Sequence, residues 1–206
     1  MRVMVWLMVG SLMAASGAVF ATRMGEKPRP PAMVKASQLG PPTAAQVAAA
    51  RKQGKVRVNI ETTKGAIEVT LDGKVAPLTV ANFLNLVKTG FYNGIPFHRV
   101  EPGFVIQAGD PTVVGRPPVG FTIPDEKSPM KHTKGTMAMA RSYRGGQMVP
   151  NSGSTQFYIT LAETKHLDAL GFTAFGKVVS GMDVVQKITT SDKIVTAGVV
   201  GRAKGK

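Results

Sequence analysis

Two alternating segments joined by a four-residue turn constrain this chain more than any other feature. Val56, Val58 and Ile60 alternate with Arg57, Asn59 and Glu61. After Thr62-Thr63-Lys64-Gly65, Ile67, Val69 and Leu71 alternate with Glu68, Thr70 and Asp72. A period of two gives each segment one apolar and one polar face, so the pair predicts a half-buried β-hairpin. The period changes after Pro77. Val80, Phe83, Leu84 and Val87 stand at i, i+3, i+4 and i+7, the stripe of a helix that Pro77 opens and Gly90 stops. Short apolar runs follow, divided by Gly and Pro: Phe97–Val100, Phe104–Gln107, Thr136–Ala140, Gln156–Leu161 and Thr173–Val179. Gly181–Thr189 reads as a second helix, with Met182, Val185 and Ile188 on one side, and Lys193–Val200 as a last strand. This order predicts a mainly β fold, a closed eight-stranded antiparallel barrel capped by two helices over residues 55–200. Closure would remove the edges that invite aggregation. The 23 Gly and 14 Pro against 6% aromatics suit such a turn-rich fold.

The segment before residue 55 has a different composition. Met1-Arg2 is a minimal basic start, Val3 to Val9 is almost wholly apolar, and small residues lead to Val19-Phe20-Ala21. This is the pattern of an export signal cut after Ala21, and it predicts a periplasmic or secreted protein. Val3 to Phe20 also reaches the lower limit of a membrane-spanning helix, so an uncleaved anchor, and hence a membrane-tethered domain, is the competing reading. Residues 22–54 read as a Pro/Ala-rich linker, with a short helix suggested over Thr43–Lys52.

The net charge of +14 lies mostly outside the domain. Residues 1–54 hold seven basic residues and one acidic, and the tail 201–206 holds Arg202, Lys204 and Lys206. A nucleic-acid footprint belongs on a folded surface, so no nucleic-acid partner is expected. With no cysteine, thiolate nucleophiles, disulfides and Cys-based metal sites are excluded. His98, His132 and His166 lack metal-pair spacing, so neither a metal nor a cofactor is expected. There is no phosphate-binding Gly-rich loop, and Ser152-Gly153-Ser154 lacks the frame of a nucleophile elbow. Asp125-Glu126 reads as solvated charge in a turn.

Three polar residues inside apolar runs remain: Arg99 in Phe97-His98-Arg99-Val100, Gln107 in Gly103-Phe104-Val105-Ile106-Gln107-Ala108-Gly109-Asp110, and Gln156 in Ser154-Thr155-Gln156-Phe157-Tyr158-Ile159. Taken singly, each is an ordinary strand residue facing water. Together with Leu167-Asp168 and Phe175-Gly176-Lys177-Val178, their order and spacing resemble the cyclophilin-type peptidyl-prolyl cis-trans isomerases, over roughly Val56 to Val200, and specifically a bacterial, exported type.

The resemblance implies an enzyme that speeds rotation about X-Pro bonds in unfolded or partly folded proteins, as a monomer and without a cofactor. It implies that Arg99 is the catalytic arginine. Phe104, Val105, Tyr158 and Leu167 would line the proline pocket, and Gln107 would hold substrate backbone and orient Arg99. Ala140 and Arg141 fall on the backbone-contacting strand, and Gln156 would shape an adjacent secondary pocket. Several positions depart from the family's usual residues. Val105 stands for a common Met, and Tyr158 stands for Phe, bringing a hydroxyl to the pocket rim. His166 stands for the tryptophan that favours cyclosporin, which implies weak drug binding. Phe172 falls where many members have a pocket histidine, and Arg141 replaces a common Asn. The segment from Ser142 to Pro150 is a Gly-rich basic loop without an assigned conformation. A proline-binding chaperone or scaffold module with negligible turnover is the alternative reading.

Overall fold

A computed structural model describes residues 38–201. The expected export signal, most of the linker and the basic tail after Gly201 lie outside the described residues. The elements in chain order are helix α1 (Ala44–Gln53), strands β1 (Lys55–Thr62) and β2 (Gly65–Asp72), helix α2 (Pro77–Lys88), strands β3 (Arg99–Glu101), β4 (Val105–Ala108), β5 (Thr136–Met139), β6 (Tyr143–Arg144), β7 (Gln147–Met148) and β8 (Phe157–Thr160), helix α3 (Lys165–Ala169), strand β9 (Ala174–Ser180), helix α4 (Met182–Val185) and strand β10 (Ile194–Val199).

The hairpin read from the sequence is present. β1 and β2 pair antiparallel from Lys55 with Asp72 to Thr62 with Gly65, and Val56, Val58, Ile60, Ile67, Val69 and Leu71 are all buried. Eight strands form one antiparallel sheet in the order β10-β1-β2-β9-β5-β8-β4-β3. The sheet curls into a half-barrel and is not closed, contrary to the closed barrel expected. The segment entering β3 meets the start of β10 at one isolated bridge, Pro96 with Lys193, flanked by backbone bonds from Gly94 N–H to Ile194 O, Ile194 N–H to Ile95 O and Phe97 N–H to Asp192 O, and no ladder follows. Pro96 sits in a non-hydrogen-bonded pair, where its missing N–H costs nothing; β3 itself begins only at Arg99, runs for three residues and pairs with β4, so the contact with β10 is not continued.

Of the two expected helices, α2 forms as read and α4 is shorter. Beyond Val185 the chain tightens into turns, with Lys187 N–H bonded to Val184 O and Ile188 N–H to Val185 O. The helix suggested at Thr43–Lys52 is α1. Thr43 and Gln46 form its capping box, and α1 packs on α2 through the buried Ala50 and a Gln46–Asn85 side-chain bond. The end of the Pro/Ala-rich stretch is therefore part of the folded body. The approach is close: a Cβ on Gly73 would lie 2.1 Å from the Ala50 carbonyl oxygen.

Asp125 and Glu126 are not solvated charges. The cap position of α2 is Ala76, which has no side-chain acceptor. Glu126 supplies one from another loop, accepting from the N–H groups of Leu78 and Thr79 and from the Thr79 hydroxyl. A carboxylate at a helix N-terminus also complements the helix dipole. Asp125 pairs with Arg141 and accepts from Asn151 N–H.

Asp192 ties the β1–β2 turn to the start of β10. It accepts from the Thr189 N–H and hydroxyl and from the Thr63 hydroxyl. Burial alone would raise its pKa, but these bonds and Lys64 hold the carboxyl below its ordinary value of 3.8. A depressed folded-state pKa adds stability that is complete above the unfolded value and lost as pH falls through the folded one. Asp192→Asn should therefore lose about 2 kcal/mol at pH 7. The gap between the two proteins should narrow below about pH 4, as read from denaturant titrations at both pH values.

The core explains why the later strands read as unbroken apolar runs. Every residue of β4, β5 and β8 is buried. One face of these strands, with Ile106, Ala108, Met137, Met139, Phe157 and Ile159, packs against the helices in the main core. The alternate face, with Val105, Ala138 and Tyr158, joins Ala140, Leu167, Phe172 and Ala174 in a second cluster. That second face is the floor of a cavity.

Candidate functional site

Alternation along β4 and β8 places Val105, Gln107 and Tyr158 on the same side of the sheet, and pairing completes the arrangement. Gln107 stands opposite Arg99 on β3 and opposite Tyr158 on β8. The chain after β8 returns through α3, bringing His166 and Leu167 over this face. A cavity of about 630 Å³ results. Arg99, Phe104, Val105, Gln107, Ala140, Arg141, Gln156, Tyr158, His166, Leu167 and Phe172 all line it. The eleven residues singled out from the sequence are thus brought together.

A chain of amides runs along one side. Arg99 Nη1 donates to Gln107 Oε1 at 3.2 Å, Gln107 Nε2 to Gln156 Oε1 at 2.8 Å, and Gln156 Nε2 to Asp110 Oδ2 at 3.2 Å. On its other edge, Arg99 pairs with Glu101, Nη2 to Oε1 at 2.7 Å. These contacts hold the guanidinium at the mouth, 5.6 Å from the Phe104 ring centroid. His166 stacks on the far side of the entrance with Phe104, centroids 5.4 Å apart. Beneath this edge, burial lowers the pKa of His98 despite the pull of Asp110.

The opposite wall is fixed by Arg141, whose side chain is only 8% exposed. Nε donates to Asp125, Nη1 to the Leu170 carbonyl, and the guanidinium lies 4.5 Å from the Phe172 ring centroid. The resemblance implied a backbone role for this position. The side chain adds another, as a strut between the β5 exit and the turn after α3.

The Tyr158 hydroxyl does not reach the pocket rim, contrary to expectation. It turns down beneath the floor to His132 Nε2 at 2.9 Å, and His132 Nδ1 meets Asp168 Oδ1 at 2.7 Å. With Nδ1 donating to the carboxylate, Nε2 accepts the phenolic proton. A buried hydroxyl needs a partner, and His132 supplies it from below. The pocket therefore sees the apolar ring. Burial raises the Tyr158 pKa above its ordinary value. For Asp168, burial acts upward, but the bonds from His132 leave its pKa lowered.

Sequence reasoning missed this His132–Asp168 support, since His132 has no neighbour in sequence that reveals it. It also missed Ser142, Tyr143, Met148 and Leu170, which line the cavity mouth. The signal for the first three was the Gly145-Gly146 pair, a two-residue hairpin turn between β6 and β7. Among the described residues, no three of His, Asp and Glu cluster as metal ligands, and no helix is long and apolar enough to cross a membrane.

Comparison with known proteins agrees with this geometry. The family model described as cyclophilin type peptidyl-prolyl cis-trans isomerase/CLD matches residues 57–201. A peptidyl-prolyl cis-trans isomerase of Acinetobacter baylyi is 41% identical over 137 residues, 64% of this chain and 70% of the relative. One of Synechococcus elongatus is 38% identical over 143 residues, 68% of this chain and 94% of the relative. A Cryptosporidium parvum cyclophilin-type isomerase superposes with a TM-score of 0.62 at 27% identity, covering 71% of this chain and 99% of that one. Its crystal structure was determined in the presence of the dipeptide Ala-Pro. With its half-barrel, its cavity and these relatives, the chain belongs to the cyclophilin-type peptidyl-prolyl cis-trans isomerases.

Proposed function

We propose that Arg99 stabilises the twisted amide of X-Pro bonds in unfolded or partly folded proteins whose proline ring occupies the cavity floor. The amide before proline is held by resonance, with a barrier of about 18–20 kcal/mol. Rotation localises the lone pair on the prolyl nitrogen. A guanidinium facing that nitrogen binds the twisted state more strongly than the planar one, and only such a difference lowers the barrier. No bond is made or broken, so no nucleophile is required. A million-fold acceleration needs roughly 8 kcal/mol. A charge-assisted contact in a partly dry cavity and binding of the substrate in a bent form are the sources on offer.

One observation carries the assignment to Arg99. Two guanidiniums line the cavity, and they are committed differently. Arg141 spends its donors on Asp125 and two carbonyls and is almost wholly buried. Arg99 is 40% exposed and lines the cavity, and its bonds to Glu101 and Gln107 leave one N–H on each of Nη1 and Nη2 without a partner. Gln107 orients Arg99 and retains one amide N–H for substrate backbone, while Val105, Tyr158, Leu167 and Phe172 supply the apolar seat. The Ala-Pro dipeptide used with the Cryptosporidium relative is a ligand of this kind. The cavity is complete within one chain, which supports action as a monomer.

Arg99→Lys tests the reading, because it keeps the charge and loses the planar fork. We expect kcat/KM on a proline peptide to fall about 10- to 100-fold. Turnover equal to wild type would remove Arg99 from the chemistry, and no turnover in wild type would leave a proline-binding module.

We also propose that the protein is a bacterial, exported member of the family, periplasmic or secreted through residues 1–21. The basic start, apolar run and small residues before Thr22 support this. N-terminal sequencing of protein isolated from its host should begin at Thr22. An intact Met1 would indicate an anchor instead.

A further inference from the structure

The β6–β7 hairpin has an unusual composition for a surface ribbon. Eight large apolar side chains are exposed among the described residues, and three of them, Tyr143 (65%), Leu170 (55%) and Met148 (41%), line the mouth of the cavity that holds Arg99. Tyr143 and Met148 are directly paired across the hairpin, so both side chains stand on the same face.

A two-stranded ribbon is marginal on its own, yet this one is built to hold its shape. Gly145 and Gly146 both have positive φ, 55° and 82°, as a tight two-residue hairpin turn requires. At the base, Val149 N–H bonds to Ser142 O, and Ser142 N–H bonds to the Ser152 hydroxyl. Asn151 and Asp125 exchange two further bonds. Asp125 also receives Arg141, which in turn holds the Leu170 carbonyl. The hairpin and the Leu170 turn are therefore two walls fixed by one set of contacts. The cavity between them, about 630 Å³, falls in the range of ~300–1,000 Å³ that holds drug-sized ligands. That is room for more than a pyrrolidine ring.

We propose that Tyr143, Met148 and Leu170 form a shelf that selects a bulky apolar side chain immediately beside the substrate proline. This deepens the preceding reading and rests on it. The occupant follows from the shelf's continuity with the proline seat and from its chemistry: a rigid aromatic, an adaptable thioether and a branched aliphatic, with no carboxylate among them.

The test is a set of peptides with Phe, Leu, Gly or Asp placed before or after the proline, assayed with wild type and with the double variant Tyr143→Ser/Met148→Ser. Wild type should favour Phe over Gly on one side of the proline by about tenfold in kcat/KM, mostly through KM. The double variant should reduce that ratio below about threefold, while Tyr143→Phe/Met148→Leu should keep it. A ratio near one in wild type overturns the proposal, as does a ratio that the serine variant leaves unchanged. So does sedimentation showing that the hairpin instead joins two copies of the chain. Titrating the same peptides by fluorescence polarisation separates the two claims. Selective binding without turnover defeats the role of Arg99 and leaves the shelf standing, and turnover without selectivity does the reverse.

Discussion

Arg99→Ala should lower kcat/KM on an X-Pro peptide by about 10²- to 10³-fold while moving the melting temperature by no more than about 2 °C. The two effects separate because the side chain has different neighbours in the two processes. For folding, Arg99 is a half-exposed residue paired with Glu101, itself 50% exposed, and such pairs contribute little. Gln107 would lose one donor but keep its bond to Gln156. For turnover, the guanidinium faces the apolar cavity, where a developing charge has no comparable partner. Arg141 cannot substitute, since its donors hold Asp125 and the Leu170–Gly171 carbonyls. An activity loss accompanied by a large fall in melting temperature would mean that Arg99 is structural.

The largest stability effect should come from Phe83→Ala on α2. Phe83 is fully buried, with its ring centroid 5.0 Å from Tyr92, 5.4 Å from Phe157 and 5.6 Å from Phe175. It joins the helix to β8 and β9, whose other face carries the cavity. Removing a buried Phe costs about 3–5 kcal/mol when neighbours cannot collapse into the space. Here the neighbours are three rings fixed from the turn after α2, from β8 and from β9. Against a total of about 5–15 kcal/mol, that loss should lower the melting temperature by roughly 10–15 °C. A change below about 1 kcal/mol would mean that the ring cluster can repack.

These two residues also show what a sequence reader can and cannot see. Phe83 was legible because a helix with one buried stripe repeats every three or four residues, and Val80, Leu84 and Val87 complete the stripe. The β1–β2 hairpin was legible for the same reason, with period two. β4, β5 and β8 obscure that period because both faces are buried, one in the core and one beneath the cavity. Arg99, Gln107 and Gln156 then look like isolated polar residues, and only the resemblance joined them. Closure of the sheet was not legible, since it depends on whether two edges distant in sequence can pair. The buried direction of the Tyr158 hydroxyl depends on His132, 26 residues away. Glu126 at the start of α2 was hidden similarly: Ala76 offers no cap, and nothing local says which acid replaces it.

The central claim is that the Arg99 guanidinium prefers the twisted amide to either planar form. The most direct measurement is the cis–trans exchange rate of a proline peptide bound to the protein at saturation, obtained by NMR exchange spectroscopy with wild type and Arg99→Ala. Preferential binding of the twisted state predicts a bound-state exchange rate at least about 100-fold lower in the variant, with peptide Kd within about threefold. If the bound peptide exchanges equally fast on both proteins, or if the rate falls only as far as binding weakens, the claim is wrong.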